Sequence, residues 1–196
     1  MSKAARTKQF IIEKTAPIFN TKGYAGTSIN DLTFATGLTK GSIYGNFDNK
    51  DEVALAAFDY NFMRVNLYIK SQMETQTSII GKLLVYPQTY RNFLKLPFLA
   101  AGCPITNTST EADDTHPPLR SKATAAFTYW RKTLEFLINK GISEGEIKSD
   151  LQVQEFISVL TSLIQGSFMQ TKVTGNLNAL YDSMDFLEKL IRNIKA

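Results

Sequence analysis

The chain has 196 residues, 43% of them hydrophobic, enough to bury a real core and too many for a disordered chain. Its one cysteine excludes an internal disulfide and suits a reducing cytoplasm, where the chain is expected, and its one histidine argues against a His-based metal site. The net charge of +4 is concentrated: residues 1–50 carry seven Lys and Arg against three Asp and Glu, while the rest of the chain balances at fifteen of each.

That imbalance implies a polyanion partner at the N-terminal end. No apolar run approaches the roughly 18 residues of a membrane span. IIGKLLVY is broken by Lys82 and Pro87, and the opening MSKAARTKQF lacks the apolar core of a signal peptide, so no membrane association is expected.

Taken in order, residues 4 to 22 place Ile11, Ile12, Thr15, Ala16 and Phe19 on a helical stripe that Gly23 ends. Pro17 removes a backbone donor inside it, which predicts a kink or break. Thr27 and Ser28 stand ready to cap a short helix over Ile29-Asn30-Asp31-Leu32, with Ser28…Asp31 as a capping box. Gly37 supplies a turn and Thr39 caps a second short helix, Lys40 to Tyr44. Asn49…Glu52 is a further capping box, opening a helix of about 20 residues or about 30 Å with Phe58, Phe62, Val65 and Ile69 on one stripe.

Ser78 caps the next apolar segment, whose Ile80, Leu83, Leu84 and Leu94 share a face and which Pro87 interrupts. Gly102 to Pro118 reads as the longest irregular stretch. Pro117 and Pro118 fit the first turn of a helix carrying Ala123, Ala126 or Phe127, Trp130, Leu134, and Leu137 or Ile138, and ended by Gly141. Two helices finish the chain, from about Gln152 to Lys172 and through the seam Leu177, Leu180, Met184, Leu187, Ile191 and Ile194, whose spacing suits another helix. No strand-like alternation or repeat appears, so the fold is all-α.

Residues 23–50 form the outline of a helix-turn-helix. A helix entering a major groove about 12 Å wide needs a leading face that is small or polar. Thr39, Lys40, Gly41 and Ser42 meet that need: Gly41 permits close approach, Thr39 and Ser42 offer hydrogen bonds, and Lys40 a charge. Tyr44 adds a hydroxyl and Lys50 a flanking phosphate contact, while Leu38, Ile43 and Phe47 are spaced to pack on Leu32 and Ala35.

These residues resemble the TetR family of bacterial transcriptional regulators over roughly residues 6–60. The likeness runs through Phe19…Lys22-Gly23-Tyr24, Thr27-Ser28-Ile29-Asn30-Asp31-Leu32, Thr36 to Tyr44, and Phe47…Lys50-Asp51-Glu52. Gly102-Cys103-Pro104…Asn107 is similar to a segment found in one branch of the family. The resemblance implies a three-helix DNA-binding domain over residues 1–50, and a helical ligand-binding and dimerisation domain over residues 51–196. It assigns Thr27, Ser28, Lys40, Tyr44 and Lys50 to phosphates of a double-stranded operator, and places Thr39, Gly41 and Ser42 nearest the base edges. Gly45-Asn46 departs from a larger pair common in the family, leaving a lean recognition helix in which both still belong to the DNA face. Phe34, in a position often polar, is expected to pack on the first helix, with a thymine methyl as the alternative contact.

No P-loop, GxSxG, HExxH or CxxC occurs, and Glu144 and Glu146 lack a paired-carboxylate arrangement, so no enzyme, metal or cofactor is expected. Cys103 is read as a buried inert thiol in preference to a redox sensor, and His116 as a cap or surface residue. The aromatics Phe62, Tyr86, Tyr90, Phe93, Phe127, Trp130 and Phe168 are expected to line a pocket for a small apolar or amphipathic inducer. The last two helices, through Phe156, Leu160, Leu163, Leu180, Met184, Leu187 and Ile191, are expected to form the homodimer interface. The expected function is a repressor; a ligand-independent regulator of the same fold and a helical enzyme or adaptor are the alternatives.

Overall fold

A computed structural model describes residues 2–196, which form nine α-helices and no strand; a single antiparallel bridge joins Ile147 to Lys195. The helices are α1 (Lys3–Lys22), α2 (Ile29–Thr36), α3 (Lys40–Tyr44), α4 (Lys50–Glu74), α5 (Ile79–Arg91), α6 (Pro104–Ala112), α7 (Pro117–Ser143), α8 (Val153–Thr174) and α9 (Asn178–Asn193). They divide into two compact units. One comprises residues 1–65 with 101–126, the other residues 66–100 with 127–196.

In the first unit a small core of Ile11, Leu32, Ile43, Phe47 and Val53 ties α1, α2, α3 and the start of α4 together. Lys8 closes its edge, its ammonium 2.6 Å from Glu52 and 4.6 Å from the Phe47 ring centroid. Asn61 donates to the Ala16 carbonyl at 2.8 Å, holding α4 on α1. Asn49 caps α4 as expected, accepting the Glu52 N–H at 2.9 Å, but the Glu52 carboxylate reaches back to the Asp48 N–H, one residue beyond a standard box.

Several helix boundaries differ from expectation. α1 runs without a break through Pro17 to Lys22. Pro17 and Glu13, the residue whose carbonyl loses its donor, are both exposed, so water can serve that carbonyl. α5 likewise continues past Pro87 to Arg91, with Leu83, Leu84, Tyr86 and Tyr90 all buried around it; that burial outweighs a proline cost of about 3 kcal/mol. Leu94 falls outside α5, in a 3-10 turn over Phe93–Lys95, and is exposed. Residues 102–118 are not irregular: Pro104 opens α6. Gly141 does not end α7 but sits within it, where a Cβ would lie 2.5 Å from Ile147 Cδ1.

In the second unit α9 packs on α8 and α5, and the Arg91 guanidinium pairs with Asp185. Glu146 caps α5, its two carboxylate oxygens each accepting a backbone N–H at 2.7 Å, from Ile79 and Ile80. No helix of the described residues is long and apolar enough to cross a membrane.

Candidate nucleic-acid interface

The helix-turn-helix is assembled by caps. Ser28 and Asp31 exchange hydrogen bonds, Asp31 N–H to Ser28 Oγ at 3.2 Å and Ser28 N–H to Asp31 Oδ2 at 2.8 Å. The Lys22 ammonium lies 2.6 Å from the other Asp31 oxygen. That ammonium first, then the Ser28 N–H and hydroxyl, hold the Asp31 carboxyl well below the usual carboxylate range. Gly37 ends α2 in the left-handed region at φ 67°, its N–H bonded to Thr33 O at 2.9 Å. Two residues on, Thr39 caps α3 by accepting the Ser42 N–H at 3.1 Å. Ile43 and Phe47 are buried beneath, so the opposite face of α3 turns outward.

On that outer face Thr39, Lys40, Gly41 and Gly45 are exposed and Ser42, Tyr44 and Asn46 half-buried; Ser28 is exposed at the start of α2. Asn46 is anchored, its amide donating to Ser42 O at 2.9 Å. Lys50 is half-buried, its ammonium 4.2 Å from the Tyr24 ring centroid. The Tyr24 hydroxyl in turn donates to the Asp51 carboxylate, and that bond, with burial second, pushes the phenol up to about 12. His116 stacks edge-on against Tyr24 and is a cap, not a surface residue: its Nδ1 accepts the Leu119 N–H at 3.2 Å, and the ring is buried. Nε2 faces Asp51 at 3.8 Å.

Two expectations on this surface need correction. Thr27 is only 1% exposed, and its hydroxyl donates to the Gly23 carbonyl at 2.6 Å, so it locks the α1–α2 turn and has no free face for a phosphate. Phe34 does not pack on α1; it is 93% exposed. One residue here had no signature in the sequence. Glu111, on α6, accepts the backbone N–H groups of Tyr24 and Ala25, each at 2.8 Å, from 86 or more positions away in the chain.

In the second unit Tyr86, Tyr90, Phe93, Phe127, Trp130 and Phe168 form one connected set of rings. Tyr86 and Trp130 lie 6.1 Å apart, Tyr90 and Phe168 5.5 Å, and Phe93 and Phe168 4.9 Å, centroid to centroid. Phe127 meets Trp130 edge-on at 6.2 Å. Phe62 belongs to the first unit, stacked on Phe58 at 6.3 Å. Burial pushes the Tyr86 phenol well above its ordinary value. The Trp130 indole N–H lies near that phenol without meeting hydrogen-bond geometry, and it and the Thr171 hydroxyl are buried without a partner. Cys103 is buried at the start of α6.

The residues expected between two copies are mostly taken up within one. Phe156, Leu160, Leu180, Met184, Leu187 and Ile191 are buried in the single chain, where α9 lies on α8 and α5. Leu163 alone of that set reaches the outside. It joins Val159, Gly166, Gln170 and Ser183 around an open groove of about 380 Å³ between α8 and α9, and Val173 on α8 and Phe186 on α9 are exposed as well.

Comparison with known proteins converges on one family. Residues 11–57 match the model for bacterial regulatory proteins of the tetR family, and residues 80–187 match that for the tetracyclin repressor-like C-terminal domain. The chain is similar to a solved transcriptional regulator from Cytophaga hutchinsonii, at 44% identity over 100% of this chain and 98% of that one, with a TM-score of 0.95. A second, from Chloroflexus aurantiacus, is 32% identical over 100% and 98%, with a TM-score of 0.92. The transcriptional repressor DhaR of Mycobacterium sp. (strain GP1) is 27% identical over 90% of this chain and 88% of its own.

Proposed function

The chain belongs to the TetR family of bacterial regulatory proteins, DNA-binding transcription regulators rather than enzymes, and from that premise we propose a homodimeric repressor that binds a palindromic duplex operator and is released by a small apolar or amphipathic inducer. The observation that carries this reading is the outer face of α3. Thr39, Lys40, Gly41 and Gly45 lie exposed over a base of buried Ile43 and Phe47, in the quarter of the chain that holds the whole net charge. Lys40, Tyr44, Lys50 and Ser28 hold phosphates; Thr39, Gly41 and Ser42 approach base edges, with Asn46 and Gly45 at the far end of the same face. Phe34, fully exposed on α2, presents its ring to a thymine methyl. In the dimer, the outer faces of α8 and α9 around Leu163 meet their copies, setting two reading helices one DNA turn apart. The chain works in the cytoplasm, where such DNA lies.

The inducer reading is supported by the ring cluster of Tyr86, Tyr90 and Trp130 and by the unpartnered Trp130 N–H beside it, a donor suited to one polar atom of an otherwise apolar ligand. The close mutual packing of the same rings favours the alternative, a ligand-independent regulator with a filled core. Thermal-shift screening of small aromatic and amphipathic compounds, followed by gel shifts on DNA flanking the gene, separates the two. A compound that raises the melting temperature and releases the complex supports induction. Specific DNA binding that no stabilising compound disturbs supports the alternative, and absence of a specific complex at low salt would contradict both.

A further inference from the structure

The segment Gly102-Cys103-Pro104…Asn107 stands out in the sequence but forms no part of the outer face of α3. Its side chains instead clasp the end of α1. Asn20 is buried, and its amide donates to the Gly102 carbonyl at 3.0 Å. Asn107 answers with one amide nitrogen serving three acceptors: Asn20 O at 2.9 Å, Asn20 Oδ1 at 3.1 Å and Ala101 O at 2.9 Å.

One turn further along α6, the Glu111 carboxylate takes the N–H groups of Tyr24 and Ala25, both at 2.8 Å. Gly23 makes this possible: at φ 73° it turns the chain out of α1, and a Cβ there would lie 2.2 Å from Glu111 Oε2. The two amides belong to the turn that ends at Thr27 and Ser28, and Thr27 is itself tied back to Gly23. A carboxylate accepting two backbone N–H groups is among the stronger hydrogen-bond arrangements, and it fixes both atoms of a plane rather than one. The turn before α2 therefore has its direction set by α6.

We propose that Glu111, supported by Asn107, is a positioning residue for DNA binding: it fixes the Gly23–Thr27 turn and so aims the start of α2, where Ser28 meets a backbone phosphate. The proposal rests on the DNA-binding reading above. Glu111 itself stays away from the DNA, acting through Ser28. In Glu111→Gln one oxygen still accepts, but the amide group meets the second N–H donor to donor, and the turn loses its fixed plane.

The test measures affinity for a duplex selected by the wild-type chain, by fluorescence anisotropy across a salt series, for E111Q, S28A and the double variant, with melting temperatures alongside. E111Q is expected to bind about tenfold more weakly at an unchanged salt slope, because no phosphate-neutralising cation is removed. The loss is expected to be uniform across operator sequences. The double variant is expected to bind no more weakly than E111Q, since both changes remove one contact. If E111Q melts below the assay temperature, E111D, which keeps both acceptors one methylene further back, is read in the same cycle with a smaller loss. Wild-type affinity in E111Q with only a lower melting temperature would overturn the proposal, as would losses that add in the double variant. Failure of the wild type to select any duplex would overturn the DNA-binding reading and this proposal together.

Discussion

The two units of this chain are held together by different physics. Residues 1–65 with 101–126 also bury apolar side chains, among them the cluster of Ile11, Leu32, Ile43, Phe47 and Val53, but much of the definition of their turns comes from directional bonds: the Ser28–Asp31 box, the Thr39 cap, the Asn20–Asn107 clasp and the Glu111 carboxylate on two amides. The second unit relies on contact between long apolar faces. α9 sits on α8 and α5, and six aromatic rings interlock. Hydrogen bonds fix angles and distances, as a surface that must match DNA requires; apolar packing supplies larger energies and tolerates more ways of filling the same space.

Leu187→Ala, at a position with no exposure in the single chain, is expected to cost about 2–5 kcal/mol in denaturant unfolding. A loss under 1 kcal/mol would mean that α9 is not part of the core of its own chain. Lys40→Ala is expected to leave stability unchanged, weaken binding to every DNA sequence, and reduce the slope of log affinity against log salt by about 0.9. An unchanged slope would remove Lys40 from the phosphate contacts.

Ser28→Ala is expected to cost about 1 kcal/mol, the usual worth of an N-cap. Its partner Asp31 adds a pH dependence of known sign. Its folded pKa lies below the unfolded value of about 3.9, so its contribution is complete above that pH and fades as pH falls. Asp31→Asn should flatten the acid limb of the stability curve, followed by circular dichroism from pH 7 downward; an unaltered acid limb would mean that the Lys22–Asp31–Ser28 set does not persist in solution. The smallest effect is at Phe34. Phe34→Ala is expected to leave the melting temperature in place and to lower discrimination of thymine from uracil at the contacted position by about fourfold, the worth of one buried methyl of about 0.8 kcal/mol. Equal discrimination in both proteins would return Phe34 to bare solvent exposure.

The same contrast explains what could be read before the structure. The caps at Ser28, Thr39 and Asn49 and the turn at Gly37 use residue types whose local chemistry allows few other roles, and each stands where it was expected. Thr27 and Ser28 were equivalent as hydroxyls, and only the fold turns one inward and leaves the other out. Pro17 and Pro87 misled because proline's local cost is visible in a sequence while the water or the packing that offsets it is not. The seam in α9 was visible as periodicity, but periodicity cannot say whether the facing helix belongs to the same chain or to another; here α8 and α5 take it. Glu111 and Glu146 were silent because each caps a backbone turn more than 60 residues away.

A paired reading head is tested most directly by selection of bound duplexes from random DNA by the full chain at physiological salt, read by sequencing. An inverted repeat is predicted, its two half-sites centred one helical turn, about 10 base pairs, or a multiple apart. Recovery of a single unrepeated half-site, or no enrichment over the starting pool, would contradict a paired reading head.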